Sequence, residues 1–338
     1  MVIIMRTDAD QRTIQGVIDK VADLGFTPHP IYGVEKTVVA VIGDKTQEKI
    51  ETIASLPGVD RVVPIMEPYK LAARDVQPEG TRLDLGRGVT IGGEQIVMMA
   101  GPCAIESADQ YLAIGRYVKA AGGSVLRGGI YKPRTSPHDF QGLREDGIPI
   151  MRQVREEFDI LMISEILDPR DVELMYDVVD IFQIGTRNMQ NFALLTECGR
   201  SEKPVVIKRG MCATLDDLLK AAEYVLIEDN PNVILCERGV RTFETQYRNT
   251  LDISAIPALK KMSHLPVIVD PSHAAGRPDI VPALCKAAIA AGADGLLVET
   301  HCSPQEAMVD GAQALDEFEF DQLMRDLQPF AEATKRRL

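Results

Sequence analysis

No apolar run in this 338-residue chain reaches the roughly 18 residues a membrane-spanning helix needs. The start, MVIIMRTDAD, turns acidic too early for a secretory signal, so a cytoplasmic protein is expected. The six cysteines form no CxxC pair and no dense framework, which suits a reducing compartment. Basic residues are the minority: 37 Lys and Arg against 50 Asp and Glu give a net charge of −13. That balance excludes nucleic acid and anionic membranes as main partners, and it makes any local cluster of cations informative. No GxGxxG follows an apolar run, which removes the usual signature of a doubly wound dinucleotide-binding sheet. No HxH pair occurs either, which disfavours a metal hydrolase.

What is present falls into three parts. Residues 1 to 67 read as strand, helix, two strands, helix, strand: VIIM, then ADQRTIQGVIDKVADLG, FTPHPIY, TVVAVIGD, TQEKIETIASLPG and VDRVVPIM. That βαββαβ order predicts a small ferredoxin-like α+β domain. It carries no catalytic cluster, and His29 between two prolines reads as a surface residue. Residues 68 to 80 lack periodicity and read as a linker. From residue 81 a glycine-punctuated hairpin, LDLGRGVTIGGEQ, precedes eight apolar runs separated by amphipathic helical segments. The runs are IVMMAGP, SVLRGG, LMISEIL, IFQIG, PVVIKRG, NVILCERG, PVIVDPSH and GLLVETH. Strands without polar alternation are buried on both faces, so residues 81 to 338 are expected to form a (β/α)8 barrel. An open doubly wound sheet is the alternative.

The chemistry sits at the C-terminal ends of these runs: Cys103, Arg127, Glu165, Arg187, Lys208, Arg238, His273 and Glu299. In a barrel those ends share one rim, where active sites of this fold lie. One constellation is a metal site of a thiolate, an imidazole and two carboxylates: Cys103, His273, Glu299 and Asp310. That donor set suits a divalent ion such as Zn, Mn, Fe or Co. His301, two residues past Glu299, is a rival ligand. The other constellation is cationic: Arg127, Lys132, Arg134, Arg187, Lys208, Arg209, Arg238 and Arg241. It exceeds what one phosphate needs and fits two phosphates, or a phosphate with a carboxylate.

The motifs AGPC (100–103), LRGGIYKPRTSP (126–137), QIGTRNMQN (183–191), IKRG (207–210), CERGVRTFE (236–244), RNTLDIS (248–254), VDPSHAAGR (269–277) and VETH (298–301) resemble the 3-deoxy-D-arabino-heptulosonate-7-phosphate (DAHP) synthase family. FQGL (140–143) belongs with them. The small N-terminal domain, with its LPGVDRVVPI ending, resembles the ACT-type regulatory modules of the feedback-controlled branch.

The resemblance implies condensation of phosphoenolpyruvate with erythrose 4-phosphate at the head of the shikimate pathway. It assigns phosphoenolpyruvate to Arg127, Lys132, Arg187, Lys208 and Arg238. Erythrose 4-phosphate falls to Lys132, Pro133, Arg134 and Thr135, and a divalent ion to Cys103, His273, Glu299 and Asp310. Lys132, Arg134, Cys103 and His273 are the expected catalytic residues. Tyrosine or phenylalanine is the implied effector, and a homo-oligomer, a tetramer, the implied assembly.

The sister family, 3-deoxy-D-manno-octulosonate-8-phosphate synthase, shares the fold and the phosphoenolpyruvate site. KPRTS here favours the four-carbon aldehyde, and Cys103 stands where metal-independent members of that family carry Asn. Two other readings are a Schiff-base aldolase using Lys208 or Lys132 and a catalytically dead phosphometabolite sensor.

Overall fold

A computed structural model describes residues 1–338 except 34–35, 44–45, 64–67 and 135. The chain divides into two compact units. The first is Met1–Thr81 with Lys261–His264, and the second is Arg82–Lys260 with Leu265–Leu338.

The first unit has strands β1 (Val2–Met5), β2 (Thr27–Tyr32), β3 (Thr37–Ile42) and β4 (Val59–Val63) and helices α1 (Gln11–Asp23) and α2 (Gln47–Ala54). The sheet runs β2-β3-β1-β4, and each adjacent pair is antiparallel. Asp10 caps α1 by accepting from the Thr13 amide, and Ile14, Val17 and Val21 recur on one face of that helix. They pack on Ile3, Met5, Val39 and Val41. This is the expected ferredoxin-like arrangement. The expected last strand ran to residue 66; the observed one ends at Val63, and 64–67 lie outside the described residues.

The segment expected to be a linker is packed. Tyr69, Leu71, Ala72, Ala73 and Val76 are buried, and Ala73 forms a bridge with Ser263. His264 clamps it: one ring nitrogen lies 2.6 Å from Thr81 Oγ1 and the other 2.7 Å from the Leu71 carbonyl. Short apolar stretches without a helical or strand period can still bury side chains, which is why the sequence pattern misses this.

In the second unit, a hairpin of β5 (Leu83–Gly86) and β6 (Val89–Ile91) precedes a closed barrel. The barrel strands are β7 (Val97–Gly101), β8 (Val125–Arg127), β9 (Leu161–Ile166), β10 (Ile181–Ile184), β11 (Val205–Lys208), β12 (Val233–Glu237), β13 (Val267–Val269) and β14 (Gly295–Glu299). All neighbours are parallel, and β14 closes on β7 from Gly295–Val97 to Glu299–Gly101. These strands coincide with the eight apolar runs and are buried throughout. The covering helices are α3 (Ala108–Ala120), α4 (Ile148–Phe158), α5 (Asp171–Tyr176), α6 (Phe192–Arg200), α7 (Leu215–Leu226), α8 (Ala255–Met262), α9 (Pro271–Ala275), α10 (Val281–Ala291) and α11 (Glu317–Ala333). The hairpin's Leu83, Leu85 and Ile91 join Val97, Val125, Leu161 and Ile181 near the starts of the barrel strands in one core cluster. That apolar plug fills the N-terminal end and leaves the opposite end for polar chemistry.

Candidate active site

The strand ends fix the polar groups because β8, β11 and β14 each finish on a charged residue whose backbone is still in the ladder. Close backbone approach assists. A Cβ on Gly101 would stand 2.2 Å from the Arg127 carbonyl, and one on Gly185 would stand 1.9 Å from Oε1 of Glu165. Both positions need glycine to let the neighbouring functional residue sit where it does.

These ends surround a cavity of about 180 Å³. It is lined by Arg127, Lys132, Pro133, Arg134, Arg187, Lys208 and Arg238, every described residue that the family resemblance assigns to a substrate. Thr135 lies outside the described residues. Four of these six cations are held by acidic partners. Lys132 Nζ is 3.2 Å from Glu165, and both are buried. Lys208 pairs with Asp270. Arg127 donates to Glu299 at 2.7 Å. Arg134 pairs with Asp139 at 3.2 Å through one nitrogen, while its Nη1 is buried without a partner. Arg238 donates to the His273 carbonyl at 3.2 Å, its Nε has no partner, and burial lowers its pKa.

The four predicted metal donors converge: Cys103, His273, Glu299 and Asp310 offer ligand atoms all within 4.8 Å of one another. Cys103 Sγ is 3.4 Å from Asp310, and His273 Nε2 is 3.3 Å from Glu299 and 3.8 Å from Asp310. Burial works against the charge of Glu299, yet His273 and Arg127 hold its pKa down at about 2. Burial, then the charge of Glu299, pushes the Cys103 thiol up. A thiol, an imidazole and two carboxylates crowded this closely fit a divalent cation, which would relieve the mutual repulsion of the anionic donors.

The imidazole is already turned for such a ligand. Its Nε2 faces the cluster, and its Nδ1 lies 2.7 Å from Asp270. Nδ1 makes no well-aligned hydrogen bond, so the contact is close but bent; the separation is fixed by the short turn joining the two residues. His301 is not part of the cluster. Its Nε2 is 3.0 Å from Gln110 and its Nδ1 accepts from the Ser303 amide.

Two expected anion binders are turned away. Arg209 pairs with Glu237 at 2.8 Å and Asp252 at 3.0 Å, and Arg241 is exposed with its Nη2 near the Met211 sulfur; neither lines the cavity. His138 is exposed, its amide donating to Ser136. Three participants escape a strand-end reading. Arg248 lines the cavity and donates to Gln313 at 3.0 Å. Gln313 in turn donates to Glu299. Asp270 precedes His273 by three residues, a spacing that on a helix start marks a cap and hides the second role.

Comparison with known proteins agrees with this geometry. A family model described as the DAHP synthetase I family matches residues 73–336, and one described as the DAHP synthase ferredoxin-like domain matches residues 1–67. The phospho-2-dehydro-3-deoxyheptonate aldolase of Thermotoga maritima is 41% identical over 333 residues, 98% of either chain. Its crystal structure superposes with a TM-score of 0.79 over 99% of this chain and 98% of that one. A 2-dehydro-3-deoxyphosphooctonate aldolase from Desulfosudis oleivorans is 30% identical and covers 66% of this chain and 86% of its own length. The match therefore spans both the barrel with its rim and the small antiparallel domain before it, and the chain belongs to the DAHP synthetase I family, enzymes of aldol-type transfer.

Proposed function

We propose that this enzyme condenses phosphoenolpyruvate with erythrose 4-phosphate and water, releasing phosphate and 3-deoxy-D-arabino-heptulosonate 7-phosphate. The observation that carries the reading is a cavity where seven cations adjoin a four-donor metal cluster. Arg127, Lys132, Arg187, Lys208 and Arg238 hold the phosphate and carboxylate of phosphoenolpyruvate. Pro133 and Arg134 receive the aldehyde phosphate, with the unpartnered Nη1 of Arg134 as a donor in waiting. Holding two polyanions face to face is a large part of the catalysis. Cys103, His273, Glu299 and Asp310 hold a divalent ion, which when bound supplies Lewis acidity to a carbonyl oxygen.

C3 of phosphoenolpyruvate bonds to the aldehyde carbon, water adds to C2, and the C2–O bond to phosphate breaks. Burial opposes the charge on Lys132, but Cys103 and Glu165 prevail and raise its pKa, so it stays an ammonium. A protonated amine lacks the lone pair for a Schiff base, which favours an electrostatic role.

Among its described residues the N-terminal unit has no catalytic cluster, and its reading is regulatory: tyrosine or phenylalanine inhibits through it. The test is a phosphate-release assay with erythrose 4-phosphate and arabinose 5-phosphate, each with and without chelator. Preference for the five-carbon sugar, or full activity in chelator, would reject the reading.

A further inference from the structure

The shared carboxylate of Asp270 is assigned no role by the reading above. It is fully buried at the end of β13 and caps α9, its Oδ1 accepting from the His273 amide at 2.9 Å. Its Oδ2 meets two partners from different constellations. One is Nδ1 of His273 at 2.7 Å, on the far side of the ring from the cluster; the other is the ammonium of Lys208, which lines the anion cavity. One negative oxygen therefore faces both the imidazole of the metal cluster and a cation of the substrate pocket.

We infer that Asp270 is a positioning residue that orients the His273 ring, leaving Nε2 free for a divalent ion, and moderates the positive charge that Lys208 presents to substrate. The first half follows from imidazole chemistry. A carboxylate against Nδ1 fixes the proton on that nitrogen and makes Nε2 the lone-pair donor. The second follows from Coulomb's law: an anion beside Lys208 opposes the approach of another anion. The inference rests on the metal reading proposed above. It predicts weaker binding at the metal site without weaker binding at the anion site, which loss of packing would not produce.

Asp270→Asn separates the roles cleanly. Asn caps helices as well as Asp, so α9 keeps its cap while the charge is lost. Mn²⁺ binding by equilibrium dialysis, without erythrose 4-phosphate, is expected to weaken by about 10- to 100-fold. Phosphoenolpyruvate binding to metal-free protein, by calorimetry, is expected to be unchanged or tighter. Mn²⁺ affinity within threefold of wild type would overturn the assignment, and so would parallel weakening of both ligands.

The wild type and Cys103→Ala are measured alongside. A wild type that takes up no Mn²⁺ removes the metal reading and this inference with it. A wild type that binds the ion beside an unaltered Asp270→Asn removes this inference alone. Should Asp270→Asn not fold, ¹⁵N NMR of histidine-labelled wild-type protein without metal reads the tautomer directly. The proton is expected on Nδ1 of His273; a proton on Nε2 overturns the assignment.

Discussion

Arg127 at the end of β8 and Glu299 at the end of β14 are joined by a 2.7 Å hydrogen bond, and Oε1 of Glu299 that receives it also lies 3.3 Å from His273 Nε2. A side chain of the anion pocket and a donor of the metal cluster thus share one oxygen. The cation-lined cavity and the four-donor cluster are contiguous, as the proposed reaction between a bound anion and a polarised carbonyl requires.

The first prediction follows from the four-donor cluster. A chelator should abolish turnover and added divalent ion should restore it. Cys103→Ala should bind no ion while its circular dichroism matches wild type. Full turnover of that variant without detectable metal would exclude the role.

A second concerns the Lys132–Glu165 pair. Lys132→Ala strands a buried carboxylate, which should cost about 3–5 kcal/mol of stability in denaturant unfolding. Adding Glu165→Gln should recover much of that loss but no activity, since Lys132 also lines the cavity. Equal stability of the single and double variants would contradict this.

Arg134 should read out as binding of one substrate. Arg134→Ala removes a charge-assisted contact of about 1.5–3 kcal/mol. Steady-state kinetics should show KM for erythrose 4-phosphate rising roughly 10- to 150-fold. KM for phosphoenolpyruvate should change little; an equal rise in both would place Arg134 elsewhere.

His264 carries a pH signature. Burial, with Arg74 nearby, outweighs the bond to Leu71 and pushes its pKa down to about 4 from an ordinary 6.5. Between those values the unfolded chain binds a proton that the folded chain refuses. The stability is therefore complete above pH 6.5 and falls as pH drops towards 4, by about 3 kcal/mol. Thermal melts across pH 7 to 4 should show the decline, and His264→Gln should flatten it. Identical slopes would dismiss His264 as the source.

The regulatory reading predicts inhibition of the full chain by tyrosine or phenylalanine, lost when the first residues up to about 67 are removed. The cut must precede Tyr69, because Leu71, Ala73 and Thr81 meet Ser263 and His264. Inhibition that survives truncation, or none at millimolar effector in either form, would leave the unit without this role.

Much of the rim was legible because a barrel strand buried on both faces writes an uninterrupted apolar run, and the run's end marks the functional end. Arg209 shows where that reading overreaches. Lys208 and Arg209 are consecutive in an extended chain, so their side chains point to opposite sides. Lys208 enters the cavity and Arg209 reaches Glu237. Strand parity alone would have separated them. His301 fails likewise as a ligand: it follows Glu299 by two residues, yet the chain has left the ladder there and carries the ring to Gln110.

By itself the sequence determined the secondary elements, the barrel, the separate βαββαβ unit and the residue types gathered at one rim, because periodicity and burial are local properties of the chain. Only the tertiary structure decided who meets whom. It gave Asp270 to both Lys208 and His273, brought Arg248 and Gln313 beside the metal donors, and packed residues 69–81 against His264. Asp270 and His273 are three residues apart on one short turn, but the other pairings join positions 14 to 193 residues apart, and only closure of the fold sets their distances.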